Sequence, residues 1–318
     1  MKAFETYKAI KESVGRTVAG KDGIIDLAVI TLFCGGHLLI EDVPGTGKTM
    51  LARSLAASID GVYRRIQFTP DLLPSDVTGI NFFNMKESEF RFMPGPVFSN
   101  ILLADEINRA TPKTQAGLLE CMEERTATID GTTYALPSPF MVIATQNPIE
   151  NMGTYPLPEA QLDRFFIKTA IGYPDGENEV EILRRFGRER GVKCASPAVT
   201  AADVAAAQAE TADVFCHEDI FGYVTAIVRS TRTTHGVVLG ASPRASLALL
   251  MAAKGFAVIS GRNYVLPDDV KRACEPVLSH RLMLSSAEML KKNSAKKIIE
   301  EILGSVPVPT ETVFDGLK

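Results

Sequence analysis

Leu38-Leu39-Ile40-Glu41-Asp42-Val43-Pro44-Gly45-Thr46-Gly47-Lys48-Thr49 decides how the rest of the chain is read. A short apolar strand feeds a tight Pro/Gly turn and then a helix opening at Lys48-Thr49, so backbone N–H groups and the positive end of the helix dipole converge on one point. Such a point is a phosphate cradle. Gly45 and Gly47 allow backbone conformations and a close approach that a side chain would forbid, Lys48 reaches β/γ-phosphates, and the Thr49 hydroxyl takes one Mg²⁺ position. One position departs from the G-x-x-x-x-G-K-[ST] pattern, which asks for Gly where this chain has Asp42. The strand before and the helix predicted over 50–58 supply the context that the motif requires.

Around this stretch the composition is that of an ordinary globular protein. The 318 residues are 46% hydrophobic and 23% charged, long enough for two domains, with a formal net charge of −4. Basic residues are scattered, so no footprint for a nucleic-acid backbone stands out. Cys34, Cys121, Cys194, Cys216 and Cys274 are odd in number and contain no C-x-x-C pair, and they read as reduced, mostly buried thiols. His37, His217, His235 and His280 are isolated and read as structural or surface residues. The N-terminal stretch lacks an apolar signal region, and the longest apolar run, 24–34, contains Asp26 and is too short to span a membrane. A cytoplasmic location is the simplest expectation.

Helical spacing at 4–14 and 22–33 predicts two helices before the first strand. Apolar runs at 37–40, 65–68, 101–104, 140–144 and 165–170 predict strands that alternate with helices, hence a parallel sheet covered on both faces. Two candidate β-hairpins interrupt the alternation, one from 80–83 and 90–93, the other from 127–129 and 132–136 about the type I′ dipeptide Asp130-Gly131. They are either surface decorations or projecting loops that touch a substrate or neighbour. Beyond Pro174 no strong strand signal remains, and helices are expected at 177–190, 201–214, 220–231, 242–260, 267–278 and 287–303. The expected domains are therefore 1–174, α/β, and 175–318, helical.

Paired carboxylates end the third apolar run. Asp105 is placed to hold Mg²⁺ through its water shell and Glu106 to polarise an attacking water. Asn147, after the run at 140–144, can hydrogen-bond a γ-phosphate or the lytic water, or else simply start a turn before Pro148. Arg164 can enter a neighbouring subunit's site as an arginine finger, or pair on the surface with Asp163 or Glu159; Arg109 is a second candidate for an inter-subunit contact. In Gly240-Ala241-Ser242-Pro243-Arg244, Ser242 is an N-cap and Pro243 the first helical residue. Arg244 then opposes the helix dipole, which a nearby anion such as a γ-phosphate would explain.

Taken together, the motifs resemble those of AAA+ ATPases, and of the MoxR group within them. The resemblance runs from 18–21 through 41–49, 68–76, 103–110, 144–148 and 157–165 to 241–244, nearly the whole chain, and MoxR-like sequences tolerate the missing glycine at Asp42. It implies a five-stranded parallel α/β core with β-hairpin inserts, a smaller all-helical lid, ATP and Mg²⁺ as cofactors, and a homo-oligomeric, usually hexameric, ring. Lys48 and Thr49 would belong to Walker A, Asp105 and Glu106 to Walker B, Asn147 to sensor 1 and Arg244 to sensor 2, with Arg164 as the finger. Val18, Gly20, Pro44, Gly45, Thr46, Gly47, Lys48, Thr49, Met50 and Arg244 would surround the nucleotide, and Thr49 and Asp105 the metal. The implied activity is ATP hydrolysis driving chaperone-like maturation of a protein client, often with a partner carrying a von Willebrand factor A domain. A metal-chelatase motor subunit is the nearest alternative, and a DNA-acting motor a more distant one, disfavoured by the absence of a basic channel.

Overall fold

The structure, a computed structural model, describes residues 2–18, 20–43, 45–147, 154–186, 195–290 and 294–309. Helices α1 (Lys2–Gly15) and α2 (Asp22–Phe33) precede β1 (Leu38–Glu41), α3 (Lys48–Ser58), β2 (Tyr63–Gln67) and α4 (Pro74–Thr78). A hairpin, β3 (Gly79–Asn84) and β4 (Glu89–Pro94), leads to β5 (Ile101–Asp105) and α5 (Pro112–Glu124). A second hairpin, β6 (Thr126–Ile129) and β7 (Thr132–Ala135), is followed by β8 (Met141–Gln146), α6 (Glu159–Leu162), β9 (Ile167–Thr169), α7 (Gly176–Phe186) and α8 (Ala201–Ala212). Five of these strands form one parallel sheet in the order β2-β5-β8-β1-β9. Leu38–Ile40, Ile101–Ala104 and Met141–Thr145 are buried along their length, as strands covered by helices on both faces must be.

Register aligns the strand ends. Gln67 pairs with Asp105 across β2 and β5, and Glu41 with Gln146 across β1 and β8, so the carboxyl ends of four strands open on one edge. Ligands of open α/β sheets bind along this edge.

Both expected hairpins form, and they lie against each other. Phe92 of β4 stacks on Tyr134 of β7 with ring centroids 4.3 Å apart, and Asn81 Nδ2 donates to Asp130 Oδ2 at 3.0 Å. Asp130 and Gly131 both have positive φ, 49° and 80°, the two-residue turn that their sequence specifies. Further out, Phe83 and Phe90 meet edge to face at 5.3 Å and are 50% and 74% exposed, with Met85 beyond them at 87%.

The chain divides into two compact units, Glu5–Ala206 and the residues from Ala207 onward together with those up to Phe4. This division lies beyond the change of character expected near 174. The reason is local: Ala198 and Val199 donate their N–H groups to Ser58 O, and Ser13 Oγ donates to Ser196 O, so the segment before α8 packs with the sheet unit. The second unit contains α9 (Glu218–Thr233), β10 (Val237–Leu239), α10 (Pro243–Ile259), α11 (Pro267–Leu278), β11 (Met283–Leu284), α12 (Ser286–Leu290) and α13 (Ala295–Ser305). It is helical, with one short antiparallel ribbon of β10 and β11 that the sequence reading did not expect. The single helix expected over 287–303 is two helices, the second capped by Ser294. Ser242 Oγ accepts from Ala245 N at 3.3 Å with Pro243 opening α10, as its sequence implies.

Candidate active site

A cleft of about 490 Å³ lies at the carboxyl edge of the sheet, lined by Gly45, Gly47, Lys48, Thr49, Met50, Arg53, Arg65, Gln67, Asp105, Glu106 and Asn147. The sheet's register thus brings the glycine-lined turn, both carboxylates and the asparagine together. Gly45 and Gly47 have φ of 85° and 94°, the left-handed region that excludes most side chains, and a Cβ on either would meet nothing within 4 Å. Gly47 caps α3, whose first turn therefore points its N–H groups into the cleft. Lys48 Nζ donates to the carbonyls of Asp42 at 3.0 Å and Val43 at 3.2 Å.

The two acids differ in their partners. Asp105 Oδ1 accepts from Thr145 Oγ1 at 2.6 Å and its Oδ2 pairs with Arg65 at 2.7 Å. Glu106 holds a left-handed φ of 56°, a conformation that costs a non-glycine residue roughly 1–3 kcal/mol and that concentrates at functional sites. That backbone is fixed by Glu106 N donating to Thr145 Oγ1 at 2.8 Å. Its carboxylate accepts from Gln67 Nε2 at 2.8 Å and from Arg109 Nε at 3.0 Å. Arg65 and Gln67 carry no signal in the sequence beyond membership of an expected strand, and Thr145 none beyond its place in the stretch 144–148. Only the pairing of β2, β5 and β8 reveals that they face the acids. Nearby, burial pushes the Tyr63 phenol above its ordinary pKa.

Asp42, the exception in the turn, is 8% exposed and has a task of its own. Its carboxylate accepts the N–H groups of Val43 at 2.8 Å, Ile171 at 3.0 Å and Gly172 at 2.8 Å.

Other expected site residues fall elsewhere. Thr46 Oγ1 reaches Val43 O at 3.4 Å within the turn, Pro44 is outside the described residues, and Val18 and Gly20 are not among the cleft-lining residues. Gly20 abuts the Asn178 side chain of α7, where a Cβ would come within 2.1 Å. Arg164 lines a separate cavity with Glu120, Glu123, Glu124 and Gln161, and its ion pair, at 3.2 Å, is with Glu123. Arg109, by contrast, engages the chain's own Glu106. Arg244 belongs to the second unit, exposed in the first turn of α10.

The donor set suits a phosphate-bound hard cation. The Thr49 hydroxyl and the Asp105 carboxylate are hard oxygen donors lining the cleft, and among the described residues no group of three or more His, Cys, Asp or Glu forms a metal cage by itself. Mg²⁺ is commonly held by one or two carboxylates plus substrate phosphates. Two of the described cysteines, Cys121 and Cys274, are buried, with thiols pushed up to about 12 by burial, whereas Cys34 and Cys216 are partly exposed. Cys194 lies outside the described residues.

Residues 37–167 match the ATPase family associated with various cellular activities (AAA), and residues 229–302 match the AAA lid domain. Chaperone MoxR1 of Mycobacterium tuberculosis is 42% identical over 93% of this chain and 80% of its own length. The chain belongs to the MoxR-type AAA+ ATPases. Protein MoxR of Paracoccus denitrificans is 30% identical over 95% of this MoxR-type chain and 96% of its own, and YeaC of Bacillus subtilis is 46% identical over 94% of each. A crystal structure of a provisionally assigned ATPase from Cytophaga hutchinsonii superposes with a TM-score of 0.90 at 40% identity, covering 97% of each chain. The five-stranded parallel core and helical lid are thus those of the family. No helix among the described residues is long and apolar enough to cross a membrane.

Proposed function

We propose that this chain hydrolyses ATP with Mg²⁺ in a cytoplasmic homo-oligomeric ring, hexameric by family resemblance, and uses the turnover to remodel a client protein complex. The observation that carries the reading is the convergence of the left-handed glycine turn, Lys48, Thr49, Asp105, Glu106 and Asn147 on one cleft. In it the N–H groups of the turn and the Lys48 ammonium would bind the phosphates, and Thr49 and Asp105 would hold the metal. Mg²⁺, when bound, neutralises charge developing on the β- and γ-phosphate oxygens. Glu106 accepts a proton from the water whose oxygen bonds to the γ-phosphorus as the bond to the bridging oxygen breaks and ADP leaves. Asn147 orients that water or the γ-phosphate without adding charge.

Arg164 serves the neighbouring copy as its arginine finger. Its pairing with Glu123 in a cavity apart from the cleft supports a role in trans, whereas Arg109 is engaged by Glu106 of the same chain. Arg244 senses the γ-phosphate from the lid. A relative named a chaperone favours a protein client, for which a von Willebrand factor A domain partner is one option, and the relatives lend no support to the chelatase or DNA-motor alternatives.

The test is Glu106→Gln. It keeps ATP affinity within about threefold and lowers kcat by about 10³, the span of a lost general base. An ATPase rate equal to that of the parent would show that Glu106 does not activate water.

A further inference from the structure

Asp42 and Lys21 grip the same peptide run from opposite sides. Asp42 Oδ2 accepts the N–H groups of Ile171 and Gly172, and Lys21 Nζ donates to the carbonyls of Ile171 at 2.9 Å, Gly172 at 3.1 Å and Tyr173 at 2.9 Å. Gly172 has φ of 66°, the left-handed kink that turns successive peptide groups toward two partners. Lys21 stands at the N-cap of α2, where a cation opposes the helix dipole, so its side chain is not there for the helix. The three carbonyls give it a reason to be there.

The grip bears directly on the phosphate turn. Asp42 N donates to Gln146 O at 3.1 Å, tying it to β8 beside Asn147, and Asp42 O receives Lys48 Nζ. The carboxylate also accepts Val43 N, fixing the first bend of the turn. A glycine, the residue that the general pattern places here, has no acceptor for any of these N–H groups.

We propose that Asp42 and Lys21 are positioning residues that clamp the 171–173 run onto the entry of the phosphate turn, and that the cleft's nucleotide affinity depends on this clamp. It rests on the nucleotide-site reading above. Fixing the backbone of one residue costs roughly 1–2 kcal/mol, so a turn released by one residue's worth of order binds its ligand about tenfold more weakly.

Nucleotide affinity of the full chain, read by fluorescence of an N-methylanthraniloyl ATP analogue with Mg²⁺, tests it alongside steady-state kinetics. Asp42→Gly, although it restores the common motif, weakens binding about tenfold and raises KM by about the same factor, with kcat within about threefold. Lys21→Met does the same. The double variant loses about tenfold, not a hundredfold, because both act through one peptide run. Amides 171 and 172 exchange hydrogen more slowly with nucleotide in the parent and do not respond in Asp42→Gly. Asp42→Asn, which keeps the shape but turns an amide donor toward N–H groups, reports the same loss should the glycine variant not fold. Single variants that bind as tightly as the parent, or a double variant down a hundredfold, overturn the clamp alone. A parent chain with no adenine-nucleotide affinity overturns the site reading and the clamp with it.

Discussion

The cleft and the outer hairpin hold their side chains very differently: Asp105, Glu106 and Asn147 are partly or fully buried, whereas Phe83, Phe90 and Met85 are exposed. Both acids that line the cleft are engaged by partners: Asp105 by Thr145 and Arg65, Glu106 by Gln67 and Arg109. On β3–β4 the base is fixed, through Phe92 on Tyr134, while Phe83, Phe90 and Met85 reach into solvent. A side chain fixed by several polar contacts serves chemistry done in place. An exposed apolar one contributes little to its own fold. The two regions should therefore separate under substitution, one losing turnover and the other not.

The largest effect expected is for Arg164→Ala. An arginine finger contributes about 10³ or more to kcat, so the variant alone turns over about 10³ more slowly, and mixing it with Glu106→Gln subunits, which supply an intact arginine, restores turnover. No recovery in the mixed ring would place Arg164 outside the neighbouring site. A smaller effect concerns the fold beneath both regions. His37 is buried, with Nδ1 accepting from Val142 N at 2.9 Å and Nε2 against Met122 O at 3.0 Å. Burial, reinforced by the nearby Arg125 guanidinium, lowers its pKa to about 3. The unfolded chain, with His near 6.5, binds a proton that the folded chain refuses, so this contribution is present above pH 6.5 and is lost as pH falls toward 3. Between pH 7 and pH 5 the loss is about 2 kcal/mol. Thermal or urea unfolding of His37→Gln against the parent should show the shallower acid dependence in the variant, and equal slopes would count against a neutral His37. The smallest effect is for Phe83→Ser with Phe90→Ser, which leaves turnover within about twofold and stability within about 0.5 kcal/mol for each substitution. A tenfold loss of ATPase rate would join the hairpin to the catalytic machinery and undo the separation.

Much of this was legible in the sequence, for physical reasons that also set the limits. The buried strands β1, β5 and β8 read as apolar runs, and the dipeptide Asp130-Gly131 specified its turn. The glycine turn and the acid pair at the end of β5 were legible because each is local. Asp42 stood out only as an exception, since its partners Ile171 and Gly172 lie 129 and 130 residues away. Arg65, Gln67 and Thr145 were silent because a strand's sequence does not say which strand lies beside it. The ribbon of β10 and β11 escaped because its strands, of three and two residues, are too short to carry a period. Arg164 was expected to pair, if at all, with Asp163 or Glu159, and its partner is Glu123 of α5 instead.

The central claim is that the turn at 45–49, Asp105, Glu106 and Asn147 meet around one Mg–triphosphate. A crystal structure of Glu106→Gln grown with ATP and Mg²⁺ tests it most directly. The account predicts the β- and γ-phosphates against the N–H groups of the turn and Lys48, with the metal between Thr49 and Asp105. Phosphates bound elsewhere on the chain, or a metal remote from both oxygens, would contradict it.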